Sequence, residues 1–125
     1  MSIKESHIFD SISNFYKEER EKSLDFGLDC SEIVEDFIQK FGGSAILILS
    51  NEWKSHKAIV FKDSNGNELE FLYHYAWLNP KNYKVYDAML NYYGFSREDY
   101  LSEVISDKDS CLIQEVKSQT LKCYF

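Results

Sequence analysis

Leu28-Asp29-Cys30-Ser31-Glu32-Ile33, running on to Phe41-Gly42-Gly43, is the stretch whose reading decides the fold. Asp29 is an N-cap residue, offering a side-chain oxygen to the free N–H groups of a first helical turn, and Glu32 three residues on completes a D-x-x-E capping pattern. Leu28 and Ile33 flank the cap where a hydrophobic staple belongs. Gly42 supplies the left-handed conformation that ends a helix. Between these ends Cys30, Ile33, Val34, Phe37, Ile38 and Phe41 recur at helical spacing, so one face is apolar. The helix carries a cysteine in its first turn, where the helix dipole and unpaired N–H groups favour a thiolate.

Downstream of the two glycines the periodicity changes. Residues 44–49 are a continuous apolar run, the pattern of a strand buried on both faces. Residues 55–61 read as a second strand headed by His56, which alternation places on the same side as Ala58 and Val60. Residues 68–75 read as a third, and the Asn65-Gly66 pair between the two is a hairpin signal. Residues 77–82, with the chain's single proline at Pro80, read as a loop. Residues 83–86 form a short strand ending at Asp87, and 88–93 a helical turn closed by Gly94. Ser96 caps a helix running to about residue 105, with Phe95 and Tyr100 as a staple. Residues 111–116 and 121–125 have strand-like composition. Upstream, residues 6–23 read as a helix with an apolar stripe of Ile8, Phe9, Ile12, Phe15 and Tyr16, and the charged run 17–22 as its solvated end. Helices first and then a mostly antiparallel sheet make an α+β fold, one domain over residues 1–125 with the N-terminal helices packed on the sheet.

Composition sets bounds on function. Nine Phe, nine Tyr and two Trp thicken a small core or line a contact surface. A formal net charge of −7 argues against a nucleic-acid partner, because phosphate binding needs concentrated Lys and Arg. Three cysteines, Cys30, Cys111 and Cys123, show no C-x-x-C spacing, so no structural zinc and no disulfide framework are expected. No metal or cofactor is expected at all. No apolar run approaches the roughly 20 residues that span a bilayer, and the first ten residues lack a signal-peptide core. No membrane partner is expected, and export would rely on a larger parent chain.

A cysteine at a helix start, a histidine on a strand and an acid at a later strand end occur in that order, as Cys30, His56 and Asp87. A thiolate attacks a carbonyl centre, an imidazole moves the proton, and a carboxylate fixes the imidazole tautomer. The segments Asp29-Cys30-Ser31-Glu32-Ile33-Val34-Glu35, Ser55-His56-Lys57-Ala58-Ile59-Val60 and Val85-Tyr86-Asp87-Ala88 together resemble a reduced papain-like cysteine fold. More narrowly they are similar to the papain-fold toxin domains of bacterial polymorphic toxins. The resemblance covers about residues 28 to 90. It implies Cys30 as nucleophile, His56 as general base and Asp87 as orienting acid, with the Cys30 N–H as one oxyanion donor. It further implies an effector toxin that hydrolyses or deamidates a target protein, acting in the cytoplasm of a cell it is delivered into, with a cognate immunity protein as a second partner. One feature departs from the family: no glutamine precedes Cys30 to give a second oxyanion donor. Asn14, or a backbone N–H near Gly27, is what remains.

Each residue also has a structural reading. Cys30 can be a small buried hydrophobe, His56 the cap of a strand edge, and Asp87 a turn residue. His74, the competing base, can pack between aromatics or line the cleft. Trp53 and Trp77 flank the site elements as a substrate wall or as core. Asp63 belongs to the hairpin turn, and Cys111 and Cys123 to the core. Two other functions fit the same chain: RNA cleavage by His56 with His74 or Tyr73 and no thiol, and an acidic immunity-type protein that blocks a basic toxin.

Overall fold

The structure is a computed structural model that describes the backbone of residues 3–124 and the side chains of residues 11–124. Two helices lead the chain, α1 (Ile3–Phe26) and α2 (Cys30–Phe41). Both ends of α2 lie where the sequence puts them: Asp29 accepts from the Ser31 N–H, and Gly42, at φ 78° and ψ −156°, closes the last turn onto the Ile38 carbonyl in a glycine conformation outside the left-handed helical region. The Ile8 and Phe9 part of the α1 stripe lies outside the described side chains, but Ile12 and Tyr16 are buried as expected.

Five antiparallel strands form the main sheet: β1 (Ser44–Ser50) pairs with β4 (Tyr73–Leu78) on one side and with β7 (Cys111–Val116) on the other, and β5 (Val85–Asp87) and β6 (Tyr92–Phe95) extend it beyond β4, giving the order β6-β5-β4-β1-β7. β1 is buried at all seven positions because both faces of the sheet are covered. On one face Ala45, Leu47 and Leu49 meet Ile33, Phe37 and Ile38 of α2. On the other, Ile46 and Ile48 join Tyr100, Leu101 and Val104 of α3 (Arg97–Val104). Ser96 caps α3 through its hydroxyl, which accepts from the Asp99 N–H. The fold is therefore α+β, with helices packed on a mostly antiparallel sheet.

Several sequence expectations are corrected. Residues 55–58 are not strand. After β1 the chain coils through a 3-10 turn (Trp53–Ser55), and the Ser50 hydroxyl donates to the Lys57 carbonyl at 2.6 Å, pinching the loop shut. Only β2 (Ile59–Lys62) is extended, and it pairs with β3 (Glu68–Phe71) in a separate two-stranded sheet. The Asn-Gly turn joins them, with Asp63 accepting from the N–H groups of Asn65 and Asn67. The expected strand 68–75 breaks at Leu72, where the chain leaves the hairpin and enters the main sheet as β4, so Trp77 and Leu78 are strand rather than loop. Residues 88–91 are a turn, and Tyr92–Phe95 is β6, paired with β5 (Val85–Asp87). Residues 121–124 are not strand; Leu121 is buried, with its N–H donating to Glu35, and Phe125 lies outside the described residues.

Candidate functional site

The cap on α2 fixes where Cys30 goes. As the first helical residue it has a backbone N–H with no acceptor inside the helix, and its side chain, 5% exposed, turns toward the sheet. The sheet is open at that point. β5 pairs with β4 only at Trp77 and Leu78, so the N-terminal half of β4 carries no strand on its β5 side. Cys30 meets β4 there, beside the backbone N–H of Tyr75 and the imidazole of His74.

His74 is 1% exposed, and its ring lies against Phe71 (5.9 Å, stacked) and Phe61 (5.5 Å). Its Nε2 donates to Asp87 Oδ2 at 2.7 Å. The same oxygen accepts from the Tyr100 hydroxyl at 2.7 Å, while Oδ1 accepts from the Leu90 N–H at 3.0 Å. On the far side of the ring Nδ1 has no hydrogen-bond partner of good geometry. Cys30 is nonetheless close enough that thiol and imidazole act on each other's titration. With Nε2 committed to Asp87, Nδ1 is the atom left for sulfur.

The electrostatics follow from this arrangement. Burial alone would lower the His74 pKa, but the Asp87 carboxylate outweighs it and, with a smaller contribution from Cys30, carries it up to about 10. His74 is therefore an imidazolium at neutral pH. Burial raises the Cys30 thiol above its ordinary value, and Asp29 adds to this, whereas His74 and the Tyr75 N–H pull it back down. Burial, then Asp87, also hold the Tyr100 hydroxyl neutral, so it stays a donor. The resting state is a thiol beside an imidazolium–carboxylate pair, one proton richer than a thiolate–imidazolium pair.

Cys30 and His74 line a cavity of about 290 Å³. Phe71, Leu72 and Tyr73, from the bend between β3 and β4, build one wall, and Met89 and Tyr124 complete it. The charged groups at its rim are Asp29 and Glu70. A larger groove of about 600 Å³ lies between the β2 edge and residues 105–110, but Cys30, His74 and Asp87 do not line it, so the smaller cavity is the candidate site. Among the described residues no group of three or more His, Cys, Asp or Glu side chains is placed to hold a metal ion, and no helix is long and apolar enough to cross a membrane.

Cys30 and Asp87 thus come together, but the histidine between them is His74 and not His56. His56 is exposed, caps the 3-10 turn in the left-handed region (φ 58°), and faces none of the site groups. The expectation that put it on a strand fails with that strand. Trp77 is fully buried, stacked on Phe37 (4.8 Å) with Nε1 donating to the Gly42 carbonyl, so it is core and not a substrate wall. Trp53 is half-buried against Tyr124 (5.1 Å), one residue removed from the cavity. Cys111 is half-buried at the margin of the core on the α3 side and donates to the Asp107 carbonyl, whereas Cys123 is exposed, 3.8 Å from the Ser31 hydroxyl, and is not core. Sequence reasoning missed Tyr100 and the Tyr75 N–H. A signal for His74 was present: it interrupts an otherwise apolar run, Tyr73 to Leu78, and a histidine buried in a central strand needs a partner. Comparison with protein-family models, curated proteins and solved structures finds no match.

Proposed function

We propose that the chain is a papain-like thiol hydrolase of the toxin-domain kind, which hydrolyses a peptide bond or deamidates a side chain of a target protein. One observation carries this reading: Cys30, at the first turn of a capped helix, shares a cavity with a buried His74–Asp87 pair whose free ring nitrogen is left for sulfur. Loss of one proton from the resting site gives a thiolate held by the imidazolium and by the Tyr75 N–H. The thiolate adds to the amide carbon, forming a C–S bond, and the Cys30 N–H receives the oxyanion. His74 passes its Nδ1 proton to the leaving nitrogen as the C–N bond breaks, leaving a thioester. Neutral His74 then takes a proton from water, hydroxide adds to the thioester, and the sulfur departs with the carboxylic acid released. Asp87 holds the ring in orientation throughout.

The second oxyanion donor is not among the upstream groups considered. Asn14 is exposed on α1, and the Gly27 N–H donates to the Ser23 carbonyl at 3.1 Å. The Tyr73 hydroxyl, which lies on the cavity wall and at rest donates to Asp29 Oδ2 at 3.5 Å, is the group we assign to that place, turning from the carboxylate to the oxyanion as the latter forms. Action on a protein amide is favoured over RNA cleavage because the carboxylates of Asp29 and Glu70 at the rim repel phosphate. Delivery as part of a longer chain, action in the cytoplasm of the recipient and neutralisation by an immunity protein belong to the same proposal. Its test is Cys30→Ala, expressed in a bacterial cytoplasm: growth inhibition by the parent chain should disappear in the variant while the circular dichroism spectrum is unchanged. Inhibition that persists would remove the thiol mechanism.

A further inference from the structure

We infer that the Cys30 cavity selects a substrate segment with a positive charge, a lysine or arginine side chain next to the amide attacked, and that Glu70 and Asp29 are its specificity-determining residues. The inference rests on the thiol-hydrolase reading and adds the substrate class. The cavity is a ligand site on grounds separate from its acids, since His74, 1% exposed and on its wall, presents an Nδ1 with no hydrogen-bond partner. The two carboxylates then set the sign of what enters.

Asp29 is held in place by its structural work: Oδ1 accepts from the Ser31 N–H at 3.3 Å and Oδ2 from the Tyr73 hydroxyl at 3.5 Å. Glu70 stands on β3 opposite Val60 and is exposed; among the described residues it has no ion-pair partner, so its charge is uncompensated at the rim. The imidazolium of His74 does not offset them, because Asp87 already neutralises it at 2.7 Å. Phe71, Tyr73 and Tyr124 make much of the remaining wall aromatic. One of its rings already takes a cation: the Lys122 ammonium lies 4.9 Å from the centroid of Tyr124 and 5.6 Å from that of Trp53, and Lys122 itself does not line the cavity. A wall that combines aromatic rings with two carboxylates suits the long apolar stem and cationic head of Lys or Arg. An acidic or phosphorylated segment meets repulsion from both carboxylates.

The test uses three tripeptide chloromethyl ketones that differ only beside the ketone, with Arg, norleucine or Glu. Cys30 sulfur displaces chloride, forming the C–S bond as the C–Cl bond breaks, and mass spectrometry of the intact chain and its peptides follows the adduct. The Arg reagent should label Cys30 about tenfold faster than norleucine and the Glu reagent about tenfold slower. Glu70→Gln should cut each preference to about threefold, and 0.5 M salt, on the order of a 4 Å screening length, should do the same to the parent chain. Cys123, which is exposed, serves as the internal reference for intrinsic reagent reactivity. Equal labelling of Cys30 by all three reagents, or a preference that Glu70→Gln leaves unchanged, would overturn the charge selection and leave the thiol reading standing. Labelling of Cys30 by none of them faster than Cys123 would overturn the thiol reading and this inference together.

Discussion

Asp87→Asn isolates the buried ion pair, because the side chain keeps its shape and loses only its charge. Asp87 is 2% exposed and accepts from His74, Tyr100 and Leu90. In the variant Oδ1 can still accept from Leu90. The other position becomes an NH₂ donor facing the Tyr100 hydroxyl and His74 Nε2. His74 can meet that donor only as a neutral ring with Nε2 accepting, which shifts its proton to Nδ1, the atom that serves sulfur. A histidine carried from 6.5 to about 10 corresponds to roughly 5 kcal/mol of stabilisation of the imidazolium, and removing one partner of a buried pair costs about 3–5 kcal/mol. The sign follows from the raised pKa: the contribution is complete below 6.5 and is lost as pH rises through about 10. Asp87→Asn should therefore be about 4 kcal/mol less stable than the parent at pH 6, and the gap should narrow to about 1 kcal/mol by pH 9.5. Urea unfolding followed by tryptophan fluorescence at pH 6, 7.5 and 9.5 reads this directly, provided the denaturant slope is unchanged. A gap under about 1 kcal/mol at pH 6, or one that stays constant up to pH 9.5, would refute a buried imidazolium–carboxylate pair.

Other substitutions test the remaining assignments. His56→Ala should leave growth inhibition unchanged, and His56→Gly should raise stability by up to about 1 kcal/mol in thermal unfolding, since glycine suits φ 58° better than an L side chain. Tyr73→Phe should lower turnover on an amide substrate by about 10- to 100-fold if its hydroxyl meets the oxyanion, and an unchanged turnover would return that role to another donor. Gly43→Ala should cost about 2–4 kcal/mol by urea unfolding, because φ is 88° and a Cβ there would collide with the Leu78 carbonyl oxygen. Burial, then the neighbouring Asp36, raises the Glu19 pKa to about 7, so the folded state binds its proton more tightly than the unfolded one. Glu19→Gln should therefore have little effect at pH 5 and stabilise at pH 8, read as a rise in unfolding midpoint at the higher pH alone.

What could be read from the chain was what is decided within a few residues. The α2 N-cap, the Asn-Gly hairpin and the Ser96 cap depend on contacts within a few residues, the buried run of β1 is legible in its unbroken apolar composition, and all four stand. The histidine was misassigned because its choice depends on where strands break. His56 with Ala58 and Val60, and His74 with Ala76 and Leu78, show the same alternation, and only the bend at Leu72 and the loop pinched by Ser50 separate them. Neither feature has a local signature: Leu72 is an ordinary strand residue, and the Ser50 bond spans seven positions. Tyr100 was legible as a buried residue of α3, but its bond to Asp87 joins elements on opposite sides of a strand reversal.

The turn after Asp87 shows how the site depends on a helix that does not reach the cavity. Residues 88–91 have the spacing of a helical turn, yet their carbonyls are claimed from outside. Tyr16 of α1 sets its hydroxyl 2.8 Å from Asn91 Oδ1 and 3.2 Å from the Asp87 carbonyl, and Arg20 donates to the carbonyls of Ala88 and Met89. The Ser64 N–H takes the Leu90 carbonyl from the hairpin side, and Asn91 closes the turn at φ 65°. A turn bound at four successive positions cannot wind into a helix, and its fixed backbone aims the Asp87 carboxylate back at His74 and sets Met89 on the cavity wall. α1 thus acts on the site through the orienting acid. A change at Tyr16 or Arg20 should disturb the His74 ion pair before it disturbs the position of Cys30, which depends on the separate cap at Asp29.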